Sequence, residues 1–276
     1  MNRDSILITG CSSGIGLDAA RTLAQRGWRV IATCKQEKDC ESLRSEGLES
    51  FVLDYASSES VQAGAQQALE LCDGKLHALF NNGAYAIPGL VEDLSRDALR
   101  ALFDTNLFGQ FELINALLPS MRANAGGRII NCSSVLGFVA MPFRGAYNSS
   151  KFAMEGLTDT LRLELSDTPI HICLIEPGPI NTLIRKNSIP HFEKWIDWQS
   201  SANKQAYETQ LRPRLYEPKA KKNRFELPPS AVTEKLIQAL EHPKPQPRYY
   251  VTKPTYIAGT LKRILSTRML DKVLLR

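Results

Sequence analysis

Thr9-Gly10-Cys11-Ser12-Ser13-Gly14-Ile15-Gly16 follows a short apolar run and precedes a helical pattern. Glycines at such a place let the backbone turn sharply and approach a pyrophosphate closely, and the helix N-terminus supplies amide donors and partial positive charge. The spacing is G-x-x-x-G-x-G rather than G-x-G-x-x-G, and a plain tight turn would also explain it. Its place after the first strand of a βαβ unit favours dinucleotide binding. The predicted cofactor residues here are Gly10, Ser12, Ser13, Gly14, Ile15 and Gly16.

Short apolar runs and helical patterns alternate along the rest of the chain. Strands that alternate with helices form a parallel sheet covered on both faces. The sequence therefore predicts an α/β fold, a single Rossmann-fold domain over residues 1–276 with a doubly wound, seven-stranded parallel sheet and a C-terminal helical extension. The predicted strands are Ser5–Thr9, Arg29–Thr33, Ser50–Leu53, Leu76–Phe80, Arg128–Cys132, Ile170–Ile175 and Arg248–Thr252. Predicted helices include Val61–Leu71, Ala98–Met121, Tyr147–Leu165 and Ala231–Leu240.

Composition narrows the class of protein. The chain has 276 residues, of which 43% are hydrophobic and 23% charged, which excludes disordered, collagen-like and coiled-coil proteins. Residues 211–276 hold 15 basic and five acidic side chains, within chain totals of 34 and 29. Either a solvated basic face or a surface for an anionic partner would explain this asymmetry. We expect no nucleic-acid partner.

The N-terminal and cysteine patterns favour a cytoplasmic protein. The apolar run at 6–8 is too short for a signal sequence, and no later run is long enough to span a bilayer. The six cysteines form no Cys-x-x-Cys pair, which favours reduced, buried thiols. The four histidines are scattered without ligand spacing, so we expect no metal site.

Cofactor selectivity depends on the residues after the second strand. Lys35 follows Cys34 there, and a cation suits the 2′-phosphate of NADP better than the free ribose hydroxyl of NAD. Glu37 is close enough to keep NAD as an alternative. Asp54, at the end of the third strand, is placed to accept a hydrogen bond from an adenine amino group, or to cap a turn.

Tyr147 and Lys151 are four residues apart in a helical pattern and so share one face. Tyr249 and Lys253 repeat the spacing, but in a β-branched, aromatic segment where residues four apart are distant. Ser134 lies just past the fifth strand, and Asn106 lies in the long helix before it. Because parallel strands end on the ligand side of a sheet, these side chains belong on one rim.

As a set, these motifs resemble the short-chain dehydrogenase/reductase family. The matching residues are Thr9-Gly10-x-x-x-Gly14-Ile15-Gly16, Asn81-Asn82-Gly83-Ala84, Asn106, Ser134, Tyr147-x-x-x-Lys151 and Pro177-Gly178…Thr182. The usual Asn-Asn-Ala-Gly order is reversed here to Asn-Asn-Gly-Ala. Cys34-Lys35 and the extended basic tail look similar to the retinol and hydroxysteroid dehydrogenase branch.

The resemblance implies a role for each residue. Tyr147 would give a proton to a carbonyl, or take one from an alcohol, and Ser134 would bond the substrate oxygen. Lys151 would lower the pKa of Tyr147 and hold the nicotinamide ribose. Asn106 would hold a proton-relaying water. The remaining implied cofactor residues are Cys34, Asn82, Gly83, Pro177, Gly178, Ile180 and Thr182, the last two orienting the carboxamide.

The implied function is an NADP-dependent oxidoreductase, a carbonyl reductase or alcohol dehydrogenase that forms a homodimer or homotetramer. A non-enzymatic dinucleotide sensor on the same fold is the alternative, which the complete Ser134, Tyr147 and Lys151 set disfavours. A sugar-nucleotide epimerase would need a larger substrate domain.

Two C-terminal segments carry further expectations. Residues 183–227 are polar and proline-punctuated but aromatic, which is typical of a lid over an apolar substrate. Thr255–Leu275 has apolar residues at helical spacing with interleaved cations, so residues 253–276 are predicted to form one basic amphipathic helix. It would lie on an anionic membrane, or pack on the enzyme's own core or a second subunit. The lid aromatics are Phe192, Trp195, Trp198, Tyr207, Tyr216 and Phe225, and Phe138, Met141, Phe143 and Tyr85 are expected to line the substrate pocket.

Overall fold

The computed structural model describes residues 4–217 and 224–275. Within these ranges seven strands form one parallel sheet in the order β3-β2-β1-β4-β5-β6-β7, which confirms the predicted doubly wound α/β fold. The strands are β1 (Ser5–Thr9), β2 (Arg29–Cys34), β3 (Glu49–Val52), β4 (Ala78–Asn81), β5 (Gly127–Cys132), β6 (Ile170–Glu176) and β7 (Arg248–Tyr250).

Alternate side chains of β1 build the two halves of the core. Ile6 and Ile8 pack beneath the helices of one face, whereas Leu7 points into the cluster on the other, and all three are completely buried. This is the period of two that a strand covered on both faces requires. The helices are α1 (Gly14–Gln25), α2 (Glu37–Ser45), α3 (Ser58–Leu71), α4 (Arg96–Phe103), α5 (Gly109–Ala123), α6 (Gly145–Glu164), α7 (Ile184–Asn187), α8 (Ile189–Trp195), α9 (Lys204–Ala206), α10 (Arg212–Tyr216), α11 (Ser230–Glu241), α12 (Lys253–Ile264) and α13 (Thr267–Leu274).

The strand order reverses beside β1, which lies between β2 and β4. Ile6 is in register with Val30 on one side and with Ala78 on the other. The connections after β1 and β4 therefore diverge to opposite faces and leave a crevice at their carboxyl ends, the place where doubly wound sheets bind ligands. The predicted β4 at Leu76–Phe80 starts and ends too early, because the ladder to β5 runs from Ala78 to Asn81.

The predicted helix Ala98–Met121 is interrupted. A π-helical turn at Asp104–Phe108 separates α4 from α5. Such a turn inserts one extra residue into the helical repeat and is frequent at functional sites. Here it directs Asn106 into the protein, where the side chain is completely buried.

The lid segment has a small core of its own. Its helices α8 and α10 share this core with α4, and Phe192 and Tyr207 are completely buried in it. The Tyr207 hydroxyl accepts a hydrogen bond from Leu90 N at 2.9 Å and donates to Asp93, which fixes the segment to the chain after β4. Phe192 and Tyr207 therefore pack against apolar surface of the protein itself, and a lid over substrate stays a prediction. Residues 218–223 of the segment lie outside the described residues.

The prediction of a single helix over residues 253–276 is wrong. Leu265 is extended, and a new helix, α13, starts after Ser266. The Ser266 carbonyl accepts hydrogen bonds from Met269 N and Leu270 N, so Ser266 begins the second helix as an N-cap residue. Arg276 lies outside the described residues, and among the described helices none is long and apolar enough to span a bilayer.

Candidate active site

The glycine loop after β1 is held by direct backbone contact with the loop after β4. A Cβ atom built on Gly10 would lie 2.6 Å from Gly83 Cα, and the φ of Gly10 is +70°. The Asn82 side chain donates to the carbonyl oxygens of Thr9 at 3.0 Å and Gly10 at 3.3 Å. Three of the predicted cofactor residues are thus one rigid unit, and neither space nor backbone conformation admits a side chain at Gly10.

A buried polar chain supports this unit from below. The Thr9 hydroxyl accepts hydrogen bonds from Asn82 N and Gly83 N at 3.0 and 3.1 Å. The Tyr55 hydroxyl lies 2.8 Å from Thr9 Oγ1 and 2.5 Å from Asn81 Oδ1. Burial strongly raises the pKa of Tyr55, so it stays a neutral phenol in this chain. The sequence analysis missed Tyr55, because no local pattern marks a residue whose partners are distant in the chain.

The reversed Asn-Asn-Gly-Ala order has a steric basis at the same place. A Cβ atom on Gly83 would lie 3.2 Å from the ring of Tyr55, closer than most side-chain contacts. The Gly83 carbonyl also accepts a hydrogen bond from Gln110 Nε2 at 2.8 Å. Glycine at position 83 therefore leaves the ring of Tyr55 in place without any shift.

The N-terminus of α1 fits a pyrophosphate. Ser13 is its N-cap residue, but its side chain makes no capping bond, which leaves the first-turn amides available to an anion. Gly14 has a φ of +59°, and a Cβ atom there would meet the Thr182 methyl group at 3.1 Å. A Cβ atom on Gly16 would lie 2.4 Å from Gly10 O, so no larger residue fits there. The glycine loop and the motif after β6 therefore face each other across the crevice, as a dinucleotide bound to both requires.

Lys35 and Asp54 meet at the next two strand ends. Lys35 Nζ lies 3.0 Å from Asp54 Oδ2, with the lysine side chain 67% exposed. Asp54 Oδ1 accepts a hydrogen bond from Ala56 N at 3.0 Å, so the residue also caps a turn. Cys34 is buried, and burial raises the pKa of its thiol to about 12. Lys35 is thus the exposed cation at the place expected for an adenosine phosphate.

Ser134, Tyr147 and Lys151 come together beneath the rim. Ser134 begins a 3-10 turn at Val135–Gly137, and its hydroxyl lies 3.5 Å from Pro177 O, which ties it to the loop after β6. Lys151 is 1% exposed, and its ammonium donates to Cys132 O at 2.7 Å. The ammonium also lies 5.8 Å from the centre of the Tyr147 ring. All three of the expected proton-handling residues are therefore buried.

Burial shifts the two titrating groups in opposite senses. It raises the pKa of Tyr147 well above the ordinary value, and the Ser134 hydroxyl offsets this only partly. It lowers the pKa of Lys151 to about 8, against the opposing effects of Cys132 and Glu155. Desolvation of the phenol is the largest effect on the pKa of Tyr147 in this structure, and the lowering of that pKa by Lys151 stays a prediction.

Asn106 is fixed by hydrogen bonds to its neighbours. Its Oδ1 accepts from Tyr85 N at 3.1 Å, and its Nδ2 donates to Tyr85 O at 2.9 Å and lies 3.3 Å from Ser150 Oγ. The Ser150 hydroxyl in turn donates to Tyr147 O at 2.9 Å. Asn106 thus joins the loop after β4 to the helix that carries Tyr147, a structural link beyond the expected water site.

The expected substrate residues Phe143 and Phe138 lie in two different parts of the protein. Phe143 is buried in the lid core, with its ring edge-on to Tyr207 at 5.9 Å. Phe138 stacks on Tyr250 at 5.6 Å, four residues beyond Ser134. Tyr249 lies in β7 and Lys253 at the start of α12, so the second Tyr-x-x-x-Lys match does not lie on one helix and is incidental.

Residues from the C-terminal part of the chain pack against the motif that follows β6. A Cβ atom on Gly178 would lie 2.1 Å from Thr252 Oγ1 and 2.7 Å from Thr255 Oγ1. Ile180 forms a bridge with Leu227, whose carbonyl accepts from Asn181 N at 2.9 Å. Thr252, Thr255 and Leu227 support the cofactor motif, although no sequence motif marks them. Among the described residues, no three His, Cys, Asp or Glu side chains gather to bind a metal.

Comparison with known proteins shows which family the chain resembles. The family model described as short chain dehydrogenase matches residues 4–192. An uncharacterized oxidoreductase of Escherichia coli K12, YbbO, is 38% identical over 98% of this chain and 93% of its own. Human 17-beta-hydroxysteroid dehydrogenase type 1 is 32% identical over 92% of this chain and 79% of its own. A short-chain dehydrogenase/reductase from Burkholderia phymatum, solved with NAD, superposes with a TM-score of 0.77 at 26% identity, covering 100% and 96% of the two chains.

The shifted pKa of Lys151 predicts how stability depends on pH. The unfolded state binds more protons than the folded state between about pH 8 and the ordinary lysine pKa of ~10.4, so the free energy of unfolding rises across that window. In Lys151→Met this contribution is absent. Relative to the variant, the wild type should gain on the order of 3 kcal/mol between pH 8 and 10.5, measured by denaturant unfolding. Parallel stability curves would contradict the buried ammonium.

Proposed function

The chain belongs to the short-chain dehydrogenase family, and on that premise we propose that it is an NADP(H)-dependent enzyme that interconverts a lipophilic alcohol and its aldehyde or ketone. As a member of this family, it is an oxidoreductase that acts on CH–OH groups with a nicotinamide dinucleotide. The observation that carries the proposal is the shared burial of Ser134, Tyr147 and Lys151 beside the cofactor crevice.

The chemistry of these side chains suits proton transfer at a carbonyl oxygen. The bound nicotinamide supplies or accepts the hydride. Because burial raises its pKa, Tyr147 is a neutral phenol near pH 7 and can give its proton to the oxygen as negative charge develops. Ser134 donates a hydrogen bond to the same oxygen. The Lys151 ammonium stabilises the phenolate that remains, and the reverse transfers accompany alcohol oxidation.

Preference for NADP is proposed from Lys35. It is the cation at the end of β2, and an ion pair with an exposed carboxylate is worth little in water. A 2′-phosphate carries more charge than Asp54 and would compete for the same ammonium. Asp54 would then be free to accept from the adenine amino group. Glu37 is the alternative determinant, and it contacts Arg44 rather than Lys35 in this structure.

A lipophilic substrate is proposed from the lid. Trp195 and Trp198 are half-buried at the edge of its core, each with a cation over its ring, Lys194 at 4.5 Å and Arg212 at 4.3 Å. Tyr85 stacks on His191 of α8 at 4.0 Å, so the lid meets the loop after β4 directly. The similarity to a hydroxysteroid dehydrogenase also favours a large apolar substrate.

The proposed partner is a second copy of the chain, in a homodimer or homotetramer. Support comes from large apolar side chains exposed on or beside the α5 and α6 helices, with Phe108 56%, Phe152 41% and Leu163 68% exposed. Exposed apolar groups of this size on neighbouring helices are typical of subunit interfaces. The six buried, free cysteines favour the reducing cytoplasm as the location.

Contact of the C-terminal helices with an anionic membrane is also proposed. α12 packs inward through Thr255 and Gly259, while Ile257 and Ile264 point away and are 56% and 69% exposed. At 100° per residue these two groups lie on opposite sides of the helix. Exposed cations on both helices would add about 1 kcal/mol each near anionic lipid. They are Lys253, Lys262, Arg263, Arg268 and Lys272.

Tyr147→Phe should abolish turnover while NADPH binding survives, because the ring still fills its space and only the proton donor is lost. Cofactor oxidation with a panel of aldehydes and ketones measures the first, and fluorescence titration the second. Ser134→Ala should lose ~10²–10³ in rate. Tyr249→Phe, at the incidental motif, is the matched control. Near-normal turnover in Tyr147→Phe would falsify the assignment, and wild-type binding without turnover on any carbonyl would favour the sensor alternative.

Lys35→Ala should reduce the preference for NADPH over NADH, since it removes the cation at the 2′-phosphate. The Kd values for both cofactors are compared in the wild type, the variant and Lys75→Ala, an exposed lysine before β4 at the other end of the sheet. An unchanged ratio in Lys35→Ala, or a wild type that prefers NADH, assigns selectivity to Glu37 instead.

Trp195→Ala or Trp198→Ala should raise KM for long-chain or polycyclic carbonyls more than for short aldehydes, because the lid would lose apolar contact with the larger molecules. Steady-state kinetics on both substrate classes measure the difference. Tyr216→Ala, on the exposed side of α10, serves as the control. Equal effects on both classes would count against the lid.

The wild type should co-sediment with anionic liposomes in a salt-sensitive manner, and Ile257→Ser with Ile264→Ser should not. This pair is preferable to deleting residues 255–276, which would remove the buried Thr255 that packs on Gly178. Val91→Ser, at an apolar residue 71% exposed elsewhere, is the control. If the wild type stays in the supernatant, the helices have a structural role only.

A further inference from the structure

A cluster of charged side chains packs against the 3-10 turn at Val135–Gly137, which follows Ser134. Arg248, the first residue of β7, contacts Glu176 Oε1 through Nε at 3.1 Å. Its Nη2 contacts Glu155 Oε2 at 3.2 Å and Asp159 Oδ2 at 2.6 Å. Arg162 also pairs with Asp159. Two guanidinium groups thus meet three carboxyl groups, an excess of one negative charge if every carboxyl is ionised.

Three buried oxygens in this cluster have no hydrogen-bond partner within the part of the chain that the structure describes. They are Glu155 Oε1, Glu176 Oε2 and Ser133 Oγ. A Cβ atom on Gly137 would lie 2.6 Å from Ser133 Oγ and 2.9 Å from Glu155 Oε1, so these two oxygens face the same turn. Buried carboxylate oxygens without a donor are costly. One added proton would supply a donor and also remove the excess charge.

We propose that Glu155 and Glu176 share one proton, held on Glu176, and that the pair positions the catalytic site. Glu176 has no exposed surface and is followed directly by Pro177 and Gly178 of the cofactor motif. Glu155 lies one helical turn beyond Lys151 on α6. The pair therefore joins the loop after β6 to the helix that carries both Tyr147 and Lys151.

Glu155 also acts on Lys151 electrostatically. With the proton on Glu176, the negative charge stays on Glu155, where it raises the pKa of Lys151 against the effect of burial. This keeps the ammonium charged to higher pH. The role in catalysis rests on the proposed function, whereas the shared proton itself does not.

Charged groups from each packed element bear on the pair. Burial raises the pKa of Glu176 to about 9, and repulsion from Glu155 adds to this while Arg248 opposes it. Lys262 and Arg263 of α12 line the neighbouring surface cavity together with Glu155 and Tyr250. The full set comprises Lys151, Glu155, Asp159 and Arg162 on α6, Glu176 on β6, Arg248 and Tyr250 on β7, and Lys262 and Arg263 on α12.

Infrared spectroscopy tests the shared proton without any need for activity. At neutral pH the wild type should show the carbonyl stretching band of a buried protonated carboxylic acid, and the band should disappear as the pH rises through about 9. Glu176→Gln should lack the band. Glu164→Gln, at the exposed end of the same helix, should retain it. A wild type without the band, or a band unchanged in Glu176→Gln, overturns the shared proton.

The pH dependence of unfolding gives a second measurement. The folded state keeps a proton on Glu176 between the ordinary glutamate pKa and about 9, so the stability due to this group is complete at low pH and is lost as the pH rises. The denaturant midpoint of the wild type should therefore fall relative to that of Glu176→Gln between pH 5 and 9. A constant difference across this range overturns the proposal.

The positioning role is tested by the pH–rate profile of Glu155→Gln. Without the negative charge Lys151 should lose its proton at lower pH, so the alkaline limb of kcat should move down by half a pH unit or more. Glu164→Gln should leave the limb in place. An unmoved limb in Glu155→Gln overturns the positioning role, even if the infrared band is present. If no carbonyl is turned over at all, the proposed function fails, and the infrared and unfolding results still decide the shared proton.

Discussion

The contact between the backbones of Gly10 and Gly83 is the constraint on which the site depends. It brings the loops after β1 and β4 to within van der Waals distance, at the point where the strand order reverses. No side chain fits between the two loops. This close approach lets the Thr9 hydroxyl and the Asn82 side-chain amide form hydrogen bonds with the backbone of both loops. The crevice therefore has a floor of fixed amides and carbonyls before any ligand arrives, which reduces the ordering cost of binding.

The sheet and the residue types at its rim could be predicted from the sequence, because strand burial and loop chemistry are local patterns. Ile6, Leu7 and Ile8 alone identify a strand covered on both faces. Partners across the sheet are not local. Tyr55 meets Asn81 from 26 residues away, and Thr252 packs on Gly178 across the C-terminal connection. The π-helical turn at Asn106 and the break at Leu265 were missed because the apolar spacing continues through both.

Burial shifts the pKa values of Tyr147 and Lys151 in opposite directions. It disfavours the phenolate of Tyr147 and the ammonium of Lys151 alike, so it raises one pKa and lowers the other. Desolvation is the largest cause of both shifts, so the gap between the two pKa values widens mainly because both side chains are buried. Anything that opens the pocket returns both groups toward ordinary values. The core that contains Phe143 also includes Ala146, at the start of the helix that carries both groups.

The C-terminal helices are coupled to the same enclosure. α12 starts where Thr252 and Thr255 pack against Gly178. Because Gly259 of this helix has no side chain, the ring of Tyr250 packs between α12 and Phe138. Arg248, two residues before Tyr250, binds Glu155 and Glu176 behind the 3-10 turn that follows Ser134. One short strand thus transmits contacts from an outward-facing helix to the loop that carries Ser134. A displacement of α12 would therefore either break these contacts or move the 3-10 turn that follows Ser134.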